Sequence, residues 1–106
     1  MDEKQLLEWA AKAACYDIKP HSNSNRSPTL LFTLKGSNWN PIYDDGAALR
    51  LAVKLDMGIE VMKVLKEVRV GDGCGEIITE HYDDDPDAAT RLAIVRCAAE
   101  IGKAMQ

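Results

Sequence analysis

Arg91 is the side chain best placed for chemistry in this sequence. It falls in a segment whose apolar residues, at about 100° per residue, form one stripe of a helix, and Arg91 points into that stripe near its beginning. An inward guanidinium is either tied to Asp87 or a loop carbonyl, or directed at a phosphate or carboxylate of a ligand. By the same geometry Arg50, Lys54 and Arg96 fall on the polar sides of their helices, where we expect solvent to surround them.

A second group of candidate residues lies directly before another predicted helix. There the ring of Trp39 either packs as a lid on the core or forms a wall on which a base stacks. Asn38 and Asn40 either read the edge of a ligand or close turns. Together with Arg91, the candidate ligand-binding residues are therefore Trp39, Asn40 and Tyr43.

The sequence contains no arrangement of residues that indicates catalysis. Neither His21 nor His81 stands in a recognisable motif, and the serines cluster in one loop. Cys74 lies in the stretch GDGCG, which is predicted to join two strands, whereas phosphate-binding loops join a strand to a helix. Three cysteines without close spacing predict reduced thiols and no zinc site. We therefore expect a protein that is not an enzyme and that uses neither a metal nor a cofactor.

Acidic residues cluster before two of the predicted helices. Asp44 and Asp45 precede one, and three consecutive aspartates ending at Asp85 precede Pro86 at the start of the other. Carboxylates stabilise the unpaired N–H groups and the positive end of the dipole at a helix N-terminus. The regular ligand spacing of calcium loops is missing. We interpret these aspartates as helix caps, with Asp85 as an N-cap and Pro86 at the first helical position.

Composition and charge argue against two large classes of partner. The net charge is −4, from 13 basic and 17 acidic residues, and the basic residues form no cluster that could release counterions from duplex nucleic acid. The apolar runs fall short of the roughly 20 residues that cross a bilayer, and the N-terminus does not follow the pattern of a signal peptide. For 106 residues we expect one domain, residues 1–106, in the cytoplasm.

Hydrophobic periodicity predicts the element order α-β-α-β-β-α. The segment 59–70 is either one long bent strand or two short strands broken near residues 65–67, and residues 71–75 have the composition of a hairpin connection. Helices and a small antiparallel or mixed sheet then form an α+β sandwich. The other predicted elements are helices at residues 3–15, 46–57 (with Gly58 as its C-terminal cap) and 86–104, strands at 29–36 and 76–82, a loop at 37–45, and a candidate short strand at 16–19.

Three stretches of the sequence resemble one family of small phage and prophage proteins. LLEWAAKAA, WNPIYDDGAALRLAVKL and DDDPDAATRLAIVRCAAEIGKAM are similar to the phage ABA sandwich domain family. The pattern of that family is a Trp-x-Pro before a helix and a later Pro-x-Ala helix that carries an arginine. The three stretches cover a little under half of the chain. The resemblance implies a helix–sheet–helix sandwich and a phage or prophage origin.

Some Thoeris anti-defence sponges look related to the same family. Such proteins assemble oligomers and sequester cyclic nucleotide immune signals, including cyclic ADP-ribose isomers, without cleaving them. The resemblance matches Arg91 to the arginine of the final helix and Trp39 to the aromatic residue of Trp-x-Pro. It implies a non-enzymatic homo-oligomer that binds a small anionic nucleotide in the host cytoplasm. The alternative, indicated by the acidic composition, is a protein-binding module that inhibits or modulates a host protein.

Overall fold

Three helices and six strands make up the described part of the protein. The computed structural model describes residues 2–27, 29–73, 75 and 77–105, so the predictions for Pro28, Cys74 and Glu76 lie outside the described residues. The α+β class predicted from the sequence is confirmed. The elements are helices α1 (Glu3–Ala14), α2 (Asp45–Lys54) and α3 (Pro86–Ala104), and strands β1 (Ile18–Pro20), β2 (Phe32–Leu34), β3 (Ser37–Trp39), β4 (Gly58–Met62), β5 (Glu67–Gly71) and β6 (Ile77–His81).

The described strands form two separate antiparallel sheets of three strands each, with the orders β1-β2-β3 and β4-β5-β6. The sequence predicted one sheet and read residues 37–45 as a loop, which is wrong for β3, because a strand of three residues is too short to show alternation. For residues 59–70 the alternative of two short strands is confirmed, with the break at residues 63–66. The predicted antiparallel pairing of β5 with β6 is also confirmed.

Both shorter helices end at a left-handed residue that is not glycine. Cys15 follows α1 with φ 59°, and Asp56 follows α2 with φ 57°. After α2, the amide of Met57 donates to the carbonyl of Ala52 at 3.0 Å, which is the backbone bond of a Schellman motif. The prediction of Gly58 as the cap of α2 is therefore wrong. Asp56 takes the left-handed conformation two residues earlier, and Gly58 already belongs to β4.

Each helix begins at an aspartate whose carboxylate accepts a backbone amide. Asp44 accepts from Ala47 at 3.0 Å and Asp85 accepts from Ala88 at 3.0 Å, which confirms the capping role predicted for both acidic clusters. The Asp2 carboxylate caps α1 in the same way. The Asp2 amide donates to the side-chain oxygen of Gln5, which completes a capping box. The aspartates thus fix where α2 and α3 start relative to the strands.

Helix α3 is the central element, and it packs against α1, α2 and the inner faces of β5 and β6. The side of α1 that meets it consists largely of alanines, so the two backbones come close together. The closest approach is at Gly102, where an added Cβ would lie 1.9 Å from the carbonyl oxygen of Trp9. Val68 and Val70 of β5 are fully buried, and Phe32 and Trp39 bring the β1–β3 sheet into the same core.

Gly102→Ala should destabilise the protein because its methyl group has no room beside the Trp9 carbonyl. Alanine favours a helix over glycine by about 1 kcal/mol, but overpacking costs about 1–3 kcal/mol or more, and a 1.9 Å contact demands movement of the α1 backbone. We expect a net loss of about 2 kcal/mol in the free energy of unfolding, measured by urea denaturation.

Gly58→Ala is the matched control, since an added Cβ there meets nothing within 4 Å. Its stability should change by less than about 0.5 kcal/mol. If Gly102→Ala were as stable as Gly58→Ala, the close packing of α1 on α3 would be wrong.

Candidate functional site

Arg91 fastens the loop before α2, and the start of α2 itself, to α3. Its Nε donates to the carbonyl oxygen of Ile42 at 2.9 Å, and its Nη1 donates to Oδ1 of Asp45 at 2.6 Å. The Arg91 side chain is 18% exposed and that of Asp45 is 76% exposed. The arginine therefore points inward, and of the two structural partners proposed from the sequence it uses the loop carbonyl, with Asp45 in the place of Asp87.

Trp39 and Asn40 both lie inside the protein, with 4% and 1% of their surfaces exposed. The Trp39 ring meets Tyr16 edge to face, with ring centroids 5.9 Å apart. The Asn40 side chain donates to the carbonyl of Thr29 at 3.3 Å and accepts the amide of Ile42 at 3.1 Å. These contacts match the core-lid interpretation of Trp39 and the turn-closing interpretation of Asn40.

Tyr43 is the most exposed of the four candidate residues, at 47%. Its hydroxyl donates to the Glu3 carboxylate at 3.0 Å, which links the loop before α2 to the first turn of α1. This hydrogen bond is the main cause that raises the pKa of Tyr43 above its ordinary value of 10.0, and desolvation and the charge of Glu3 add to it. The phenol thus stays protonated, and able to donate, throughout the physiological range.

The four candidate residues hold one loop rather than line one pocket. Asn40 accepts the amide of Ile42 while Arg91 binds its carbonyl, so the same peptide segment is gripped from two sides. Trp39 anchors the beginning of the segment in the core, and Tyr43 ties its end to α1. Each of these side chains already has a partner within the protein. Ligand binding by them stays a prediction.

Arg96 was expected to be surrounded by solvent, but its guanidinium has a partner on β6. Its Nη1 donates to Oε2 of Glu80 on β6 at 2.5 Å, and the two side chains are 50% and 13% exposed. The helical wheel placed Arg96 correctly away from the centre of the stripe, but β6 reaches that flank of α3. Arg50, with a side chain 73% exposed, is solvated as expected.

An apolar groove lies between β4, α2 and α3, and we call it the β4–α2 groove. Its volume is about 330 Å³, and Leu49 of α2 faces Ile59 and Val61 of β4 across it. These three residues are 60%, 41% and 43% exposed. The other lining residues are Asp45, Ala48, Asp87, Thr90, Arg91 and Ile94.

The groove marks the place where the helices stop covering the β4–β6 sheet. Ile59 stands opposite Val70, and Val61 opposite Val68, so all four side chains belong to the inner face of the sheet. The two valines of β5 are 0% exposed, whereas Ile59 and Val61 are more than two-fifths exposed.

Sequence reasoning missed the groove although one signal for it was present. The buried stripe of α2 consists of Ala47, Ala48, Leu51 and Ala52. Leu49 lies outside that stripe, where solvent-exposed residues are usually polar. A large apolar residue there, followed in sequence by a strand with an apolar face, indicates a surface that another element or another protein covers.

A second concave site, the lysine cleft, lies where α1, the β1–β3 sheet and α2 meet. Its volume is about 570 Å³, and its polar lining includes Lys19, Lys35 and Lys54 against the single carboxylate of Asp17. Half-buried Tyr16 contributes an aromatic surface to it. Cations outnumber carboxylates in this cleft, although the whole chain carries a net charge of −4.

Comparison with known proteins finds no match: no family model, no curated protein and no solved structure is similar to this chain. Within residues 2–27, 29–73, 75 and 77–105, no helix is long and apolar enough to cross a membrane. In the same ranges, no three histidine, cysteine, aspartate or glutamate side chains are grouped so that they could hold a metal ion. The loop held by Arg91, the β4–α2 groove and the lysine cleft are therefore the features of the described residues that bear on function.

Arg91→Ala should destabilise the protein, because it removes two charge-assisted hydrogen bonds and leaves the Ile42 carbonyl without its donor. We expect a loss of about 2 kcal/mol in the free energy of unfolding by urea denaturation. Arg50→Ala removes an exposed arginine 4.0 Å from Asp44 and should cost less than about 0.5 kcal/mol. Equal stability of the two variants would show that Arg91 does not fasten this loop.

Proposed function

We propose that this chain is a non-enzymatic protein-binding module, which recognises another protein through the β4–α2 groove. The observation that carries the proposal is the exposure of Ile59 and Val61, two apolar residues on the inner face of a sheet. An inner face is normally covered, and here a partner would complete the cover. In the phage setting that the resemblance implies, the partner is a host protein that the module inhibits or modulates.

The groove has an apolar centre that contributes to the recognition of another protein. Leu49, Ile59 and Val61 line it and are 60%, 41% and 43% exposed. Covering the exposed half of such a side chain contributes roughly 1 kcal/mol, and a few residues carry most of the energy of a typical interface. Charged groups stand beside this apolar centre, which is the arrangement of a protein interface with an apolar core and a polar rim.

Peptides selected by display against the protein should bind at the β4–α2 groove. We expect that Leu49→Asp weakens the selected peptides by at least about tenfold, because a carboxylate would have to be buried against apolar side chains. Binding is measured by fluorescence anisotropy. The change lies on the exposed side of α2 and should leave the unfolding curve unaltered.

Ile77→Asp is the matched control, since Ile77 is 63% exposed, close to the 60% of Leu49, and lies on β6 away from the groove. Peptides that bind Leu49→Asp and Ile77→Asp equally well would contradict binding at the groove.

The homo-oligomer implied by the resemblance stays a prediction. Light scattering in the same buffer measures the oligomeric state.

The lysine cleft favours a second candidate function, the binding of a small anionic nucleotide. Lys35 and Lys54 supply two cations for phosphate oxygens, whereas Lys19 pairs with Asp17 at 3.3 Å. Tyr16 supplies an aromatic surface for a base. A cleft of about 570 Å³ lies within the range of about 300–1,000 Å³ that small-molecule sites occupy. The lysine cleft is therefore a second place, besides the loop held by Arg91, where the predicted nucleotide would bind.

A panel of linear and cyclic nucleotides tests this second candidate by thermal unfolding. If the cleft binds one of them, that nucleotide raises the Tm, and Lys35→Glu with Lys54→Glu removes the rise while Lys103→Glu, at the far end of α3, retains it. A rise lost in Arg91→Ala but kept in the double lysine variant would instead place the nucleotide beside Arg91. The absence of any rise across the panel would contradict both locations.

A further inference from the structure

Strand β4 is an edge of its sheet whose inner face is left open. It pairs with β5 on one side, and its other side has no neighbouring strand among the described residues. Such an edge presents unpaired backbone N–H and C=O groups that can accept another strand. The inner-facing side chains of β4, Ile59 and Val61, are apolar and favour a covered position. This edge therefore combines hydrogen-bonding capacity with an apolar surface.

The opposite edge of the same sheet is protected. Glu80 of β6 stands opposite Val68 and so faces inward, where Arg96 of α3 holds its carboxylate. A charge that points inward near a sheet edge discourages the addition of a further strand, because its partner would be displaced or left unpaired. The two edges are thus chemically different, and β4 is the one suited to pairing.

Helix α2 stands beside the inner face of β4. Leu49 of α2 lines the same groove as Ile59 and Val61 of β4, and all three side chains are partly exposed. A strand added to the free edge would lie about 4.8 Å from β4. Its inward side chains would therefore enter the groove that these three residues line.

We propose that the occupant of the groove is an extended segment of the partner protein, which pairs with β4 as a fourth strand and places alternate apolar side chains beneath α2. The inference rests on the proposed function and names the mode of recognition. Main-chain hydrogen bonds to β4 give affinity, and the groove lined by Leu49, Ile59 and Val61 selects apolar residues at every second position. Five residues of β4 set the length of the paired segment.

The charges around the groove favour basic residues in the added segment. Asp45, Asp87 and Arg91 line the groove, and Arg91 already pairs with Asp45, so negative charge remains in excess. On the outer face, Glu60 stands opposite Arg69 of β5, and a basic residue on an added strand could flank it from the other side. The partner segment should therefore alternate apolar residues with polar or basic ones.

A second copy of this chain fits the edge poorly. A twofold pair centred on β4 would place Glu60 opposite its own copy, and like charges directly opposite each other are destabilising. Each copy would also bring the same excess of carboxylates to the groove. The charges therefore favour a segment that carries basic residues.

The peptide KVTVTVK with blocked ends is the probe, because it alternates valines with polar residues and carries a lysine at each end. Binding is followed by amide chemical shifts of the isotope-labelled protein during titration. We expect shifts concentrated in Gly58–Met62 and at Leu49, with the amides of β6 unchanged. The same peptide methylated on two adjacent central amides should bind about tenfold more weakly, since it cannot complete the ladder. EVTVTVE should also bind more weakly than KVTVTVK at low salt.

Several outcomes overturn the inference. Equal binding of the methylated peptide, shifts at β6, or no shifts with KVTVTVK at millimolar concentration would each exclude strand addition at β4. If peptides from the display selection still depend on Leu49 in that case, the groove binds protein in another mode and the proposed function stands. If they do not, both proposals fail. Dimerisation through β4, seen by light scattering and abolished by Val61→Asp, would show that the occupant is a second copy.

Discussion

The backbones of α1 and α3 approach so closely at Gly102 that one methyl group has no space there, and the rest of the structure is arranged around that contact. Alanines along α1 permit the approach, and Leu7 and Ala10 are fully buried by it. One flank of α3 is thereby filled by a helix, and β5 and β6 cover its inner side. Helix α2 packs on α3 as well, so α3 contacts both other helices and the inner faces of β5 and β6.

The two edges of the β4–β6 sheet differ in what lies on their inner faces. At β6, the Arg96–Glu80 pair occupies the inner face and closes the edge. At β4, the inner face is apolar and open, and Arg91 holds the start of α2 above it through Ile42 and Asp45. The sequence left Arg91 either a partner within the protein or a ligand. The contacts with Ile42 and Asp45 match the first alternative, and they hold the start of α2 beside the groove.

Local sequence signals predicted the parts of the fold that local chemistry determines. Short-range rules predict three features with which the structure agrees. They are the capping aspartate before Pro86, the antiparallel pairing of the two β-rich stretches on either side of the glycine-rich connection, and the inward direction of Arg91. Gly58 was a reasonable cap by composition, but a left-handed Asp56 served instead. The β4–α2 groove was not predicted, because alternation at Ile59 and Val61 shows that a strand has an apolar face and does not show whether a helix covers it.

The most direct measurement is a crystal structure of the protein bound to a peptide selected for binding to it. We expect an extended peptide paired with β4, its alternate apolar side chains against Leu49, Ile59 and Val61, and the contacts of Arg91 with Ile42 and Asp45 retained. A peptide bound as a helix across the groove would contradict strand addition while leaving the groove as the site. A peptide bound in the lysine cleft, or on the outer face of the sheet, would show that the open flank of β4 is not the recognition surface.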